Sequence, residues 1–176
     1  MTAPRSNFVT ILAWLSLAMA VLGVVNGALQ WIMLLQLQSN DAWQQWLESI
    51  GSGLPVTVLW LIRHLDVVTL ISVGMSMVFA VVSWALLQRR EWGRISFIAL
   101  LVLSCALPIA GAMLMGDVLD WMDAQLAADP ALRDPALVSV QNSLRLLGHA
   151  LSAVIVVFHL GLAWKLCTPR IREEFT

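Results

Sequence analysis

Charged residues are scarce in this chain of 176 residues: Asp, Glu, Lys and Arg make up 12% of it, whereas 60% of the residues are hydrophobic. A soluble domain usually contains about a quarter charged residues. Four stretches contain none at all, namely 6–40, 67–88, 95–116 and 146–164. Because a bilayer-spanning helix needs about 20 largely apolar residues, they predict four transmembrane helices. This composition excludes a soluble enzyme and a disordered scaffold, and a net charge of -1 offers no basic surface for nucleic acid.

Cysteines and catalytic motifs are also few. Cys105 falls in the middle of the third apolar stretch and Cys167 at the end of the fourth. Their depths differ by roughly 15 Å at the helical rise per residue, which is too far for a disulfide. The chain contains no nucleophile elbow, no phosphate-binding glycine loop and no His/Glu zinc motif. We therefore expect a protein that is not an enzyme.

The sequence predicts an all-α integral membrane protein, a four-helix bundle of up-down-up-down topology in a single domain, 1–176. The predicted spans are about 8–37, 56–88, 95–127 and 136–167. Several are longer than a bilayer requires, so the helices should extend beyond the outer headgroups. Apolar residues at 43, 46, 47 and 50 follow helical spacing and predict an interfacial helix over about 41–50 on the outer side.

The distribution of charge predicts that both termini are cytoplasmic. Basic residues are enriched on the cytoplasmic side of membrane proteins. With the N terminus inside, the inner segments hold seven of the ten basic residues: Arg5, Arg89, Arg90, Arg94, Lys165, Arg170 and Arg172. Eight of the eleven acidic residues then lie outside. Nine arginines against one lysine, with no tyrosine, suggest by association a bacterial chain, so we expect the inner membrane.

Histidines are candidate functional residues, because ionisable side chains at membrane depth are often functional. His149 and His159 share one face of the fourth helix with Arg145, and that face is expected to look into the bundle. His64 lies at the outer end of the second helix. Since two histidines on facing helices can ligate a haem, His64 and His149 are candidate ligands of haem b or of a quinone. The alternative is structural: a buried, hydrogen-bonded His159 and an interfacial polar cluster.

This outer polar cluster is the second candidate feature. It comprises Arg63, His64, Asp66, Arg145 and His149, together with Asp117, Asp120 and Asp123 on the third helix. Acidic oxygens with imidazoles could hold a divalent cation, but carboxylates on a helix surface are more often partners of nearby arginines. We therefore expect no metal site, and ion pairs that join helices two, three and four.

Small residues predict where the helices pack. Gly23 and Gly27 form a Gly-x-x-x-Gly pattern on the first span, and Gly148 and Ser152 repeat a small-x-x-x-small spacing on the fourth. Most simply these faces hold the bundle together, and the alternative is a partner-binding face. Pro108 lacks the N–H that would bond to the Ser104 carbonyl, so a kink is expected in the third span.

These patterns favour a non-catalytic accessory, assembly or interaction subunit of a membrane complex. Its expected partners are the lipid bilayer and either another membrane protein or further copies of the chain. Two alternatives remain open: a small redox carrier that binds haem b or quinone through His64 and His149, and an oligomeric small transporter or channel that uses the Pro108 kink.

The topology can be tested with a reporter that is active only in the periplasm. A fusion after Thr176 should be silent, because the last predicted span returns the chain to the cytoplasm. The same reporter inserted after Ser52 should be active. An active fusion at Thr176 would mean that the number of spans or the orientation is wrong.

Overall fold

The protein is described by a computed structural model that covers residues 7–50, 53–128 and 135–175. Every regular element in these ranges is a helix. The helices are α1 (Asn7–Gln38), α2 (Asp41–Ile50), α3 (Val56–Arg63), α4 (Leu65–Leu87), α5 (Glu91–Ser104), α6 (Ala106–Ala128), α7 (Pro135–Leu166) and α8 (Pro169–Arg172). Four segments are long and apolar enough to cross a bilayer: α1, α4, the consecutive pair α5–α6, and α7. The predicted all-α four-helix bundle is confirmed, and the chain is a multi-pass membrane protein.

Two of the spans are interrupted. The second breaks at His64, whose φ of -116° and ψ of 27° leave the helical range. Its backbone N–H bonds to the carbonyls of Trp60 and Leu61, and its ring Nδ1 lies 2.8 Å from the Trp60 oxygen. The third span breaks at Cys105, which places Pro108 in the first turn of α6. A proline there costs little because first-turn N–H groups have no partner within the helix.

The buried core lies at one end of the bundle, where α1 begins and α7 ends, and we call this the terminal end. The opposite end, which carries α2 and α3, is the distal end. All four spans and the segment after α7 contribute to the core, which contains Val9, Leu12, Ala13, Val82, Leu86, Phe97, Leu101, Ala163, Leu166, Ile171 and Phe175. Both described ends of the chain therefore lie on the same side of the protein.

Arg89 lies in the turn between α4 and α5 and connects the elements of the terminal end. Its φ of 58° is left-handed, and the next N–H, of Arg90, returns to the carbonyl of Ala85 at 3.1 Å. The guanidinium donates to Thr10 Oγ1 of α1 at 3.0 Å and pairs with Glu174 at 2.6 Å. One side chain thus joins the turn, the first helix and the segment after α7.

Arg94 makes a second connection from the first turn of α5. It is 7% exposed, pairs with Glu91, and donates to the carbonyl oxygen of Leu166 at 3.2 Å, close to the end of α7. The Phe175 ring lies near both guanidinium groups, with its centroid 5.7 Å from Arg89 Cζ and 6.0 Å from Arg94 Cζ. Cation–π contacts of this kind are stronger where water is excluded.

Away from the terminal end the helices pack as two pairs. α1 packs along α4, and α7 packs against α5 and α6, but within the described residues α4 and α7 have no extensive contact. Gly23 and Gly27 lie in the α1–α4 interface. A Cβ atom at Gly23 would lie 2.6 Å from Ser76 Oγ, and one at Gly27 would collide with Val73 Cγ2. Close backbone approach at small residues is how helices associate in lipid.

Gly93 provides a test of the terminal core. A Cβ atom there would lie 2.8 Å from the Ala85 carbonyl carbon, so Gly93→Ala should force α4 and α5 apart and destabilise the protein by about 1–3 kcal/mol. The measurement is thermal unfolding in detergent. Gly161→Ala is the matched control, because nothing lies within 4 Å of its Cβ position. Equal melting temperatures for the two variants would contradict this packing.

Candidate functional site

Arg145 forms the polar centre of the distal end, where α7 crosses α6. Its Nη2 atom lies 2.7 Å from Asp120 Oδ1 and 3.5 Å from Asp123 Oδ2. The two carboxylates are one helical turn apart on α6, so a single guanidinium reaches both. The Arg145 side chain is 36% exposed, and the ion pairs therefore remain in contact with the surroundings of the protein.

The other members of the predicted cluster lie elsewhere. Arg63 is exposed at the end of α3 and Asp66 is half-buried in α4, and neither forms an ion pair with any described residue. The contact between α3 and α6 is instead made by Thr57, which donates to Asp117 Oδ2 at 3.0 Å. The structure thus joins the third and fourth spans through Arg145 and leaves Arg63 and Asp66 outside this pairing.

The two candidate haem ligands lie on elements that do not pack together. His64 sits at the α3–α4 junction, where its ring stacks on Trp60 with centroids 4.7 Å apart. His149 is exposed on α7, whose main neighbours are α5 and α6. Within residues 7–50, 53–128 and 135–175, no three His, Cys, Asp or Glu side chains are grouped as a metal site. The haem or quinone role of this pair stays a prediction.

His159 lies on the packed face of α7. At 100° per residue it shares that face with Gln141 and Leu166, both of which are buried. Its Nδ1 lies 2.7 Å from the Ile155 carbonyl, the geometry of a donated hydrogen bond that leaves Nε2 as the acceptor. The ring is half-buried and meets Phe158 edge-on at 6.2 Å. His159 is therefore oriented by its own helix.

A cavity of about 280 Å³ lies beside the Arg145 ion pairs, between α6 and α7. Its walls are mostly apolar and comprise Leu119, Trp121, Met122, Gln125, Leu126, Leu137, Val140, Gln141 and Leu144. Small-molecule sites in proteins are concave and largely apolar, with a few polar groups that orient the ligand. This cavity is one candidate site at the distal end, where a second cavity of about 540 Å³ lies between α2 and the end of α3.

Two polar side chains in the cavity wall have no hydrogen-bond partner among the described residues. Gln141 is 5% exposed, and neither atom of its amide is paired. The indole Nε1 of Trp121 is also buried and unpaired. The sequence analysis proposed neither residue for a site. Helical spacing could have indicated Gln141, because it lies four residues before Arg145 and therefore on the same face of α7.

No family, no curated protein and no solved structure matches this chain.

The Arg145 pairs can be tested with a double-mutant cycle. Arg145→Leu and Asp120→Leu should each lower the melting temperature in detergent, with a coupling of about 0.2–1 kcal/mol because the pair is partly exposed. The coupling should shrink at high salt. Arg63→Leu is the control and should leave stability nearly unchanged. A coupling of zero between Arg145 and Asp120 at low salt would refute the ion pair.

Proposed function

We propose that this multi-pass membrane protein is a non-catalytic interaction subunit, which assists or assembles a membrane complex by receiving a transmembrane helix of a partner. The supporting observation is an inward face of α7 that the described residues leave unfilled. Gly148 shares its face with Gln141 and Leu166, which are buried at the two ends of α7. Nevertheless, no described atom lies within 4 Å of an added Cβ at Gly148.

The neighbouring residues make this face suitable for a helix. Ser152 lies one turn from Gly148 and is half-buried, so the small-x-x-x-small spacing coincides with the open part of the packed face. Small residues let two helix backbones approach closely, which is the main source of association in lipid. Neither α1 nor α4 packs extensively on α7. A partner helix, from another protein or a second copy, would fill it.

Basic residues at the terminal end indicate how the protein is oriented in its membrane. The terminal end carries Arg89, Arg90, Arg94, Lys165, Arg170 and Arg172, and an excess of basic residues favours the cytoplasmic side. We propose that the terminal end is cytoplasmic and that the membrane is the bacterial inner membrane. Exposed Trp84, Trp92 and Trp164 at this end suit anchoring at the headgroups.

The test is affinity purification of the tagged full chain in mild detergent, followed by mass spectrometry. We expect a stoichiometric membrane-protein partner or a dimer, and Gly148→Leu should reduce its recovery at least tenfold because the side chain occupies the helix-binding face. Gly161→Leu is the matched control: the same substitution on the opposite face of α7, also with open space at its Cβ. A monodisperse monomer without partner would refute the proposal.

The redox alternative is tested separately by the visible absorption spectrum of the purified protein. Haem-loaded protein shows a Soret band, so the purified chain should be scanned before and after haem supplementation. Absence of the band, together with a recovered protein partner, would leave the interaction subunit as the supported function. A Soret band lost in both His64→Ala and His149→Ala would instead support haem ligation.

A further inference from the structure

The second cavity of the distal end, between α2 and the end of α3, has a mostly polar wall. It measures about 540 Å³ and is lined by Gln38, Trp43, Gln44, Leu47, Glu48, Ile62 and Arg63. This volume falls within the range of about 300–1,000 Å³ that is typical of small-molecule sites. The cavity between α6 and α7, by contrast, has an apolar wall. A polar ligand therefore fits the second cavity.

Glu48 and Arg63 are the charged residues in this wall. Glu48 belongs to α2 and Arg63 is the last residue of α3, so the two charges come from different helices. Neither side chain forms an ion pair with any residue that the structure describes. A carboxylate and a guanidinium in one cavity fit a ligand that carries both an ammonium and an anion. A ligand with a single charge would be attracted by one of them and repelled by the other.

Gln44 indicates which kind of ammonium fits beside Glu48. Its Nε2 lies 3.4 Å from the carbonyl oxygen of Gln38, and this contact leaves Oε1 as an acceptor. Gln44 and Glu48 are one turn apart on α2, so their oxygens lie on neighbouring parts of the wall. Two acceptors fit a primary ammonium, whose N–H groups donate, and a quaternary ammonium has no N–H to offer. The ring of Trp43 adds an aromatic surface, which attracts cations.

Two exposed tryptophans place the cavity at a headgroup layer of the membrane. Trp60 of α3 and Trp84 of α4 are 56% and 53% exposed. They lie 24 residues apart, roughly 36 Å along the second span, and the hydrocarbon layer is about 30 Å thick. Each indole therefore lies near one membrane surface. Arg63 follows Trp60 by three residues, and its long side chain extends to the level of the lipid phosphates, which arginine binds through two parallel hydrogen bonds.

We propose that this cavity binds a zwitterionic phosphoethanolamine head, with the phosphate on Arg63 and the primary ammonium on Glu48 and Gln44. At this depth the head belongs either to a phospholipid or to a soluble ester of the same chemistry. The site is independent of the proposed partner helix, because its walls come from α1, α2 and α3 and none of them from α7.

The experiment uses the delipidated full chain in detergent, with dioleoyl lipids as probes and native mass spectrometry as the readout. Phosphatidylethanolamine should bind saturably in a 1:1 ratio. It should bind at least tenfold more tightly than phosphatidylglycerol, which lacks the ammonium, and than phosphatidylcholine, whose ammonium has no N–H. Equal affinities for the three lipids, or no saturable binding, would overturn the proposal.

Glycerophosphoethanolamine, which has the head without the chains, distinguishes the two sources of the ligand. Weaker binding of this compound than of the dioleoyl lipid supports a phospholipid as the ligand. Binding of equal strength supports a soluble ester with the same head.

Variants test the two charges separately. Glu48→Gln and Arg63→Gln should each lower the affinity for phosphatidylethanolamine at least tenfold. Glu48→Gln should also raise the affinity for phosphatidylglycerol, because Arg63 is then the charge that remains. Asp41→Asn removes a charge from the same helix outside the cavity wall, so it is the control and should bind as the parent does.

A double-mutant cycle on the lipid-free protein tests the alternative that the two charges pair with each other. The melting temperatures of Glu48→Gln, Arg63→Gln and the double variant should be additive, because the two side chains form no ion pair in the structure. A favourable coupling between Glu48 and Arg63 would show that they neutralise each other, and the proposal would fail.

Discussion

The packing of Phe175 against Arg89 and Arg94 is the contact on which the rest of the architecture depends. Apolar helices gain little from burying one another in lipid, because the surrounding tails are equally apolar. Defined geometry must come from close packing and polar contacts, and here both are concentrated at the terminal end. Arg89 even adopts a left-handed backbone, at a cost of roughly 1–2 kcal/mol, and its contacts to Thr10 and Glu174 offset that cost.

From this closed end the four spans extend as two pairs with different kinds of contact. The α1–α4 pair is held by the backbone approach at Gly23 and Gly27, whereas α6 and α7 are held at the distal end by Arg145 and the apolar residues around Leu119. Between the pairs the inward face of α7 at Gly148 stays open. The interaction surface and the cavities of the distal end are therefore consequences of a bundle whose buried core occupies one end.

Local patterns predicted most of the fold and part of the site. Charge-free stretches place the four spans because lipid tolerates few charges, and the i, i+3 spacing of Asp120 and Asp123 opposite Arg145 predicted their pairing. The break at His64 was not predicted, since it accompanies a contact between the ring and the Trp60 carbonyl. Spacing places Gln141 on the Arg145 face, but its lack of hydrogen-bond partners is visible only in the structure. The segment with Ile171 and Phe175 was predicted only as a basic stretch, because its packing depends on Arg89 and Arg94, which are distant in sequence.

The position of Phe175 and Glu174 in the chain has a consequence for biosynthesis. Both residues follow the fourth span, so they leave the ribosome after all four helices have been synthesised. Until then the Glu174 carboxylate that pairs with Arg89 and the Phe175 ring of the core have not yet been added. The terminal core is therefore complete only after the fourth span and the segment that follows it have been synthesised.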